Sequence, residues 1–401
     1  MKRCLVFTPF PLVQPRHGGQ VRAASIAHAL RHAGWHVDAA GLYHAAMFPA
    51  EEWGALDIVI GDPAAGQRAL DDLVFADLHV ARAAAADPGT IRELSALLAR
   101  LRPDVVLVEH PWGWLPLQRA LPAAGAPRIV YSSQNIEWSA RPALLALGLQ
   151  RPGADRLVEA TRLLEAEFAR AADLVLSISD GEAAAIAAEA GRPVTYLPPV
   201  SDLAWGQPPV HGRFATAART AGARYAALMG SAYWPNVEGV FTTFPYGLGF
   251  LAQGEQVWVA GALGPAVQAD ARFGDYQSVN EARLRAWGYV ADADKASFFA
   301  GSACVILPVH IGAGAKLKTA DALASLRPVI TTPHAIEGYG PLVQDLLGQG
   351  VYVADTPRAF RDLVRQALRD GLPGCPPEVR ERVSPARMAG TLAPLLDALT
   401  A

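Results

Sequence analysis

Residues 305–338 read VILPVHIGAGAKLKTADALASLRPVITTPHAIEG, and this stretch decides the fold. Its first apolar run predicts a buried strand that ends at Pro308, and a second strand opens at Pro328. Between them, a loop with Gly312 and Gly314 leads into a helix. Glycines ahead of a helix let the backbone approach a ligand closely, and the N–H groups at the helix start favour an anion. The stretch therefore predicts two strands joined by an anion-binding loop and a helix.

The distribution of cations singles out the same loop. Of the 35 Lys and Arg residues only four are lysines, namely Lys2, Lys295, Lys316 and Lys318. Two of the four fall in this one loop, which indicates a specific need for lysine. Lysine beside such a turn supplies a point charge for phosphate, and Asp321 on the following helix can accept hydrogen bonds from a ribose or sugar diol. The alternative interpretation is a tight glycine turn with two solvated lysines.

Short apolar strands separated by helices, in both halves of the chain, predict an α/β fold with parallel sheets covered on both faces. The predicted strands are Cys4–Thr8, Val37–Leu42, Asp57–Ile60, Val105–Val108, Ile129–Ser133, Leu174–Ile178, Tyr225–Met229, Val257–Ala260, Cys304–Leu307, Val329–Thr331 and Val351–Val353. The predicted helices are residues 20–32, 91–101, 156–171, 181–190, 236–246, 293–300, 316–326, 357–369 and 385–399. We expect two doubly wound, Rossmann-like domains facing a central cleft, because ligands of such sheets bind beyond the carboxyl ends of the strands.

A proline-rich stretch without periodicity, residues 198–213, is the best linker candidate in the chain. It predicts an amino-terminal domain over residues 1–203 and a carboxy-terminal domain over residues 204–384. A last helix, in residues 385–401, is expected to cross back to the first domain.

Composition excludes several classes of protein. The chain has 401 residues, of which 51% are hydrophobic and 18% charged, with a net charge of −3. High hydrophobicity with little net charge excludes a disordered chain. The near-neutral balance also lacks the basic field that nucleic-acid binding needs, so no nucleic-acid partner is expected.

The cysteines and the amino terminus favour a cytoplasmic protein. Cys4, Cys304 and Cys375 form no CxxC pair and no disulfide framework, which is typical of a reducing compartment. Pro9 and Pro11 interrupt the apolar run that follows Lys2 and Arg3, so a buried first strand explains this segment better than a signal peptide. No apolar run approaches the length of a membrane-spanning helix.

Several motifs in a fixed order resemble the retaining glycosyltransferases of the GT-B fold, family 4 or group 1 type, in the subgroup with a GxGxKxK loop. The resemblance covers nearly the whole chain. Besides the loop at 312–318, it rests on GGQVRAASIAHALRHAGWHV (18–37), VEHPWGWLP (108–116), SSQNIEW (132–138), ADLVLSISDGEAAAI (172–186) and MGSAYWPNVEGV (229–240).

The resemblance implies that the carboxy-terminal domain binds a nucleotide-sugar donor. Lys316, with Lys318, would neutralise the diphosphate leaving group, although on a helix the two side chains would point about 200° apart. Asp321 falls where the family commonly has a ribose ligand. The implied donor-binding set is Gly18, Gly19, Gly312, Gly314, Lys318, Glu337 and Trp234.

Two departures from the family pattern concern this donor site. The first of the family's two glutamates aligns with Ala313 and is absent, which removes the usual contact to the sugar ring. Many relatives also carry an Arg and a Lys after the first carboxy-domain strand, where this chain has Tyr233, Trp234 and Asn236. Trp234 would line the nucleotide site, or would simply pack at a strand end.

The amino-terminal domain is implied to bind the acceptor. His110 follows a predicted strand at its carboxyl end, where the family often has a histidine near the donor sugar, and an imidazole there can hydrogen-bond a hydroxyl. With Lys316 and Asp321 it completes the candidate catalytic set. The candidate acceptor-binding residues are Arg22, Asn135 and Glu137, with Glu109 as an alternative.

Other chemistries find little support. No His, Cys or carboxylate spacing indicates a metal site, and the Asp292-x-Asp294 pair is expected to cap a helix. The glycines of the first loop lack the NAD fingerprint, and no GxSxG elbow is present. The nucleotide sugar is therefore expected as a co-substrate, with no other cofactor.

The sequence thus favours a glycosyltransferase that moves a sugar, with retention, to a glycan, glycolipid or small-molecule hydroxyl. Trp112, Trp114 and Trp138 leave room for peripheral contact with the inner face of a membrane. Two alternatives stay open. A sugar-nucleotide epimerase or phosphorylase on the same fold would need an acid/base set, and a non-catalytic sugar-nucleotide-binding protein would bind without turnover.

Overall fold

The computed structural model describes residues 2–145, 152–203, 212–312 and 314–401. The chain divides into two compact units, which we call unit 1 (Met1–Pro198 with Pro385–Ala401) and unit 2 (Pro199–Ser384). The core of the predicted linker, residues 204–211, lies outside the described residues, as does Ala313.

Unit 1 is built on a seven-stranded sheet in which every neighbouring pair of strands is parallel. Its strands are β1 (Arg3–Thr8), β2 (His36–His44), β3 (Ile58–Ile60), β4 (Val105–Glu109), β5 (Arg128–Ser133), β6 (Leu174–Ser177) and β7 (Thr195–Tyr196). The order is β3-β2-β1-β4-β5-β6-β7. The direction of winding reverses between β1 and β4, and ligands of such sheets bind at this switch point.

Helices cover the sheet of unit 1, and their apolar faces close one continuous core. They are α1 (Gly18–His32), α2 (Pro63–Asp71), α3 (Ala76–Ala86), α4 (Pro88–Leu101), α5 (Trp114–Ala120), α6 (Glu137–Leu144), α7 (Ala154–Ala171) and α8 (Asp180–Ala190), with a 3-10 turn at Ala50–Glu52. Two helix N-termini illustrate why the helices begin where they do. Asp62 and Asp87 each cap a helix whose first residue is proline, which lacks the N–H that would need a partner.

Unit 2 repeats the plan with six parallel strands. They are β8 (Arg224–Met229), β9 (Glu255–Ala260), β10 (Leu284–Gly288), β11 (Cys304–Leu307), β12 (Val329–Thr331) and β13 (Val351–Val353), in the order β10-β9-β8-β11-β12-β13. The switch point lies between β8 and β11, so the loops after these two strands meet at one edge of the sheet.

The helices of unit 2 are α9 (Arg213–Thr220), α10 (Trp234–Thr243), α11 (Leu263–Ala269), α12 (Ala271–Gly274), α13 (Gln277–Arg283), α14 (Asp292–Ala300), α15 (Leu317–Ala324), α16 (Pro333–Ile336), α17 (Gly340–Val343), α18 (Pro357–Arg369) and α19 (Val379–Arg382), with a 3-10 turn at Gln344–Leu346. The last helix, α20 (Pro385–Leu399), packs against α1 in unit 1. Lys2 also bonds there to Asp397 on α20.

The predicted two-domain parallel α/β architecture is confirmed. The strands at 304–307, 329–331 and 351–353 have the predicted bounds, whereas β7 and β10 were missed. Asp292 and Asp294 were wrongly predicted to cap α14: Ala291 is the N-cap, and the two carboxylates pair with Lys295 and Arg213.

Candidate functional site

The loop after β11 is shaped by two glycines and closed by a lysine. Gly312 and Gly314 have φ angles of +124° and +65°, backbone conformations that residues with a Cβ rarely adopt. Lys316 is the N-cap of α15, and its Nζ donates to the carbonyl oxygens of Gly312 at 3.1 Å and Gly314 at 2.6 Å. Tyr339 fixes the backbone by donating its hydroxyl to the Lys316 carbonyl at 2.9 Å. The helix was predicted to begin at residue 316, but it begins at Leu317. Of the two lysines, therefore, only Lys318 belongs to the helix.

Lys318 reaches the first turn of α10, the helix that follows β8. Its Nζ donates to Asn236 Oδ1 at 2.7 Å. Burial and the nearby charge of Lys316 lower the pKa of this amine to about 8. Among the described residues, no carboxylate forms a salt bridge with Lys318. The site therefore keeps two cations close together at a helix start, an arrangement that an anionic ligand relieves.

Asp321 lies one turn further along α15 and is tied to another part of unit 2. Its Oδ1 accepts a hydrogen bond from Ser201 Oγ at 2.6 Å. Burial raises the pKa of this carboxyl to about 6, although the Ser201 bond acts in the opposite direction. One carboxylate oxygen thus has a protein partner, and the ribose-binding role of Asp321 stays a prediction.

The remaining donor-side residues of unit 2 lie at helix ends. Glu337 is exposed and accepts a bond from His334 Nδ1 at 2.9 Å. Trp234 begins α10 and is 37% exposed. In the same helix, a Cβ on Gly239 would overlap the carbonyl oxygen of Pro308, so α10 packs directly on the strand end that starts the glycine loop.

In unit 1, Gly18 and Gly19 open α1 after a loop from β1. His17 is the N-cap: its Nδ1 accepts from the Gln20 N–H, and the Gln20 side chain bonds back to the His17 N–H. A Cβ on Gly19 would lie 3.0 Å from Gln134 Oε1 and 3.1 Å from Phe10. A side chain at Gly19 would therefore require Gln134 and Phe10 to move by a few tenths of an ångström. The diphosphate contact of these glycines stays a prediction.

His110 follows β4 directly and has a φ of +63°, which is uncommon for a residue with a side chain. Its Nδ1 lies 2.9 Å from Glu137 Oε1, and its ring meets the edge of Phe10 at a centroid distance of 5.9 Å. Asn135 also donates to Glu137 Oε1, at 3.3 Å. The structure thus brings together three of the residues predicted for the acceptor side.

Glu109 and Arg22 are both enclosed by the fold of unit 1. Glu109 is fully buried, and its Oε2 accepts from Gln134 Nε2 at 2.5 Å. Arg22, a candidate acceptor-binding residue, is 1% exposed and donates to the Leu197 carbonyl at 2.8 Å. This bond holds α1 to the segment after β7, so the structure shows a packing contact for Arg22. Its acceptor role stays a prediction.

Sequence reasoning missed four partners in these clusters: Asn236, Ser201, Gln134 and Arg141. The first three contact residues more than 20 positions away, for which a single sequence holds no spacing signal. The pairing of Arg141 with Glu137 could have been predicted from the sequence, because the two residues are four positions apart and therefore adjacent on one helix face.

Within the described parts of the chain, no group of three or more His, Cys, Asp or Glu side chains is placed to hold a metal ion. No described helix is both long and apolar enough to cross a bilayer.

Two parallel-sheet units of this topology define the GT-B class of fold, and solved structures agree. Sucrose-phosphate synthase from Thermosynechococcus elongatus matches with a TM-score of 0.70 and 13% identity, covering 100% of this chain and 99% of that one. Anabaena HepE in complex with UDP matches at 0.64 and 12% identity, covering 99% and 100%. The α,α-trehalose 6-phosphate synthase from Burkholderia multivorans matches at 0.60 and 14%, covering 100% and 97%. No curated sequence matches this chain.

Family models identify both halves. Residues 17–200 match the glycosyl transferase 4-like domain, and residues 250–370 match the glycosyl transferases group 1 domain. The chain belongs to the glycosyltransferases that combine these two domains, and it is an enzyme of that class.

Proposed function

We propose that this glycosyltransferase moves a sugar from a nucleoside-diphosphate sugar to a hydroxyl acceptor, with retention of configuration. In this proposal unit 2 binds the donor and unit 1 binds the acceptor, a glycan, glycolipid or small molecule. The nucleotide sugar is a co-substrate, and the proposal requires no other cofactor.

One observation carries the donor assignment: the cationic loop after β11. Lys316 and Lys318 lie at the start of α15, where backbone N–H groups and the helix dipole also favour negative charge. Burial, and then the charge of Lys316, lower the pKa of Lys318, so the protein does not fully compensate the positive charge of this amine. A diphosphate is the ligand class that offsets this charge. The complexes of HepE with UDP, and with UDP and glucose, support the same ligand class.

The chemistry asks the protein mainly to position two substrates and to stabilise the departing diphosphate. Lys316 swings from the Gly312 and Gly314 carbonyls, which it bonds in this structure, to the leaving phosphate. The acceptor hydroxyl attacks the anomeric carbon on the face from which the diphosphate leaves and gives its proton to the departing phosphate oxygen, so no covalent nucleophile is required. His110 orients a hydroxyl through its imidazole.

A nucleotide panel tests the donor assignment. UDP-, GDP-, ADP- and dTDP-sugars are added to the protein, and the shift in unfolding temperature reports binding. We expect one nucleotide class to stabilise the protein, and Lys316→Ala to weaken its affinity at least tenfold. Lys2→Ala, which removes an exposed lysine from unit 1, is the matched control and should bind as the wild type does. Equal affinity for Lys316→Ala would refute the assignment.

The stereochemical part of the proposal has its own test. The enzyme is incubated with the α-linked sugar nucleotide found in the panel and with a set of sugar acceptors, and the anomeric coupling of the product is read by proton NMR. An α-linked product supports retention. A β-linked product contradicts it while leaving the donor assignment intact.

A further inference from the structure

In unit 1, a cluster of carboxylates surrounds the His110 imidazole. The imidazole is almost enclosed, with 12% of its side chain exposed, and its Nδ1 faces Glu137. Within the described residues, Nε2 has no hydrogen-bond partner, so it is the ring nitrogen left for a ligand. The backbone of His110 has a positive φ, an uncommon conformation that the surrounding structure has to maintain.

Glu137 determines which nitrogen of His110 carries hydrogen. Although burial acts to raise the pKa of Glu137, the charge of Arg141 and the His110 bond lower it to about 2. An ionised carboxylate can only accept a hydrogen bond, so His110 Nδ1 must be the donor. In the neutral ring, Nε2 then bears the lone pair; in the protonated ring, Nε2 donates.

Arg141 in turn holds Glu137 in place. Its Nη2 lies 2.5 Å from Glu137 Oε2, one turn away on α6. Its Nη1 donates to the Val74 carbonyl, and its guanidinium lies over the rings of Phe75 and Trp112 at 5.9 and 5.4 Å. Arg141 is 8% exposed, so this ion pair is buried and keeps a fixed geometry.

Charged groups from several elements surround the ring. Glu109 acts on His110 from the end of β4, Glu137 from the start of α6, and Asp77 from α3. Burial lowers the pKa of His110, but these three carboxylates raise it, and the net change is upward. His17, at the start of α1, also faces the ring, but burial, and then the charge of His110, lower its pKa to about 4, so it is uncharged near neutral pH. Acids outnumber bases around the imidazole, so the protonated ring is favoured.

We propose that Glu137 and Arg141 form a positioning pair that fixes the His110 imidazole, with its Nδ1 hydrogen on Glu137, and presents Nε2 to a substrate hydroxyl. The role of His110 toward substrate rests on the proposed function. Glu137, expected from the sequence to contact the acceptor, acts instead through His110, because both of its carboxylate oxygens bond to protein groups.

The test is a titration of His110 by nitrogen-15 NMR, because imidazole nitrogen shifts report both tautomer and protonation. The His110 signal is assigned by its loss in His110→Gln. In the wild type we expect the Nδ1–H form at high pH and a titration midpoint above that of a free histidine. Glu137→Gln should lower the midpoint and mix the tautomers. Glu93→Gln, which removes an exposed carboxylate of α4 in the same unit, should change neither.

An unchanged midpoint and tautomer in Glu137→Gln would overturn the proposal. If that variant does not fold, Glu137→Asp replaces it: a carboxylate withdrawn by one methylene should lower the midpoint partially, and no change would again overturn the proposal. These readings need no turnover, so they are independent of the donor and acceptor assignments. In active enzyme, the pH profile of kcat/KM should shift in the same direction as the NMR midpoint, and a profile that does not follow it would refute the link to substrate.

Discussion

Lys318 should take up a proton when a nucleoside diphosphate binds at pH 8. With a pKa of about 8, roughly half of the molecules carry a neutral amine at that pH. A diphosphate beside the amine restores the charged form, because an opposite charge raises a lysine pKa. We therefore expect an uptake of roughly 0.5 proton per nucleotide at pH 8 and roughly 0.1 at pH 7.

The assay is calorimetric titration with the nucleoside diphosphate selected by the panel, in two buffers that differ in ionisation enthalpy. At pH 8 the terminal phosphate is already a dianion, since its second pKa is about 6, so the ligand contributes little to the count. Lys318→Arg supplies a cation that does not titrate and should bind without proton uptake. Binding of the wild type with no proton uptake at pH 8 would contradict a lowered pKa of Lys318, and proton uptake that persists in Lys318→Arg would show that another group takes up the proton.

Two further predictions concern stability. Gly239→Ala should lower the free energy of unfolding by about 1–3 kcal/mol, because the added Cβ would overlap the Pro308 carbonyl. The midpoint of urea unfolding measures this change. Gly390→Ala, on an open face of α20, is the control and should not lower the midpoint. Equal midpoints for the two variants would contradict the packing described for α10. Burial raises the Asp321 pKa to about 6, above about 3.9 for the unfolded chain, so the wild type should lose stability as pH rises from about 4 through 6. Asp321→Asn should lack this loss, and a loss of the same size in the variant would count against the burial of the carboxyl.

The sheet cores were predictable because each central strand is a short, continuous apolar run between turns. The two missed strands lack that signal. Thr195–Tyr196 is only two residues long, and Leu284–Gly288 is an edge strand whose Arg285 is exposed. Edge strands are buried on fewer sides, so their sequences carry weaker apolar patterns.

The candidate site was predictable as a set of loops but not as a set of contacts. Residue types and glycine spacing marked the loops that follow β4 and β11. The partners of the side chains come from distant positions: Asp321 bonds Ser201 across 120 residues, and Arg22 bonds Leu197 across 175. Long-range pairing of this kind follows from tertiary packing, for which periodicity holds no information. The pairing of Glu137 with His110 is of the same kind, because the two residues are 27 positions apart.

A crystal structure of the protein with the selected nucleoside diphosphate is the most direct test of donor binding by the loop after β11. We expect the diphosphate at the start of α15, with the Lys316 amine released from the Gly312 and Gly314 carbonyls and within hydrogen-bond distance of a phosphate oxygen. A nucleotide bound elsewhere, or a Lys316 amine still bonded to both carbonyls beside a bound diphosphate, would contradict it.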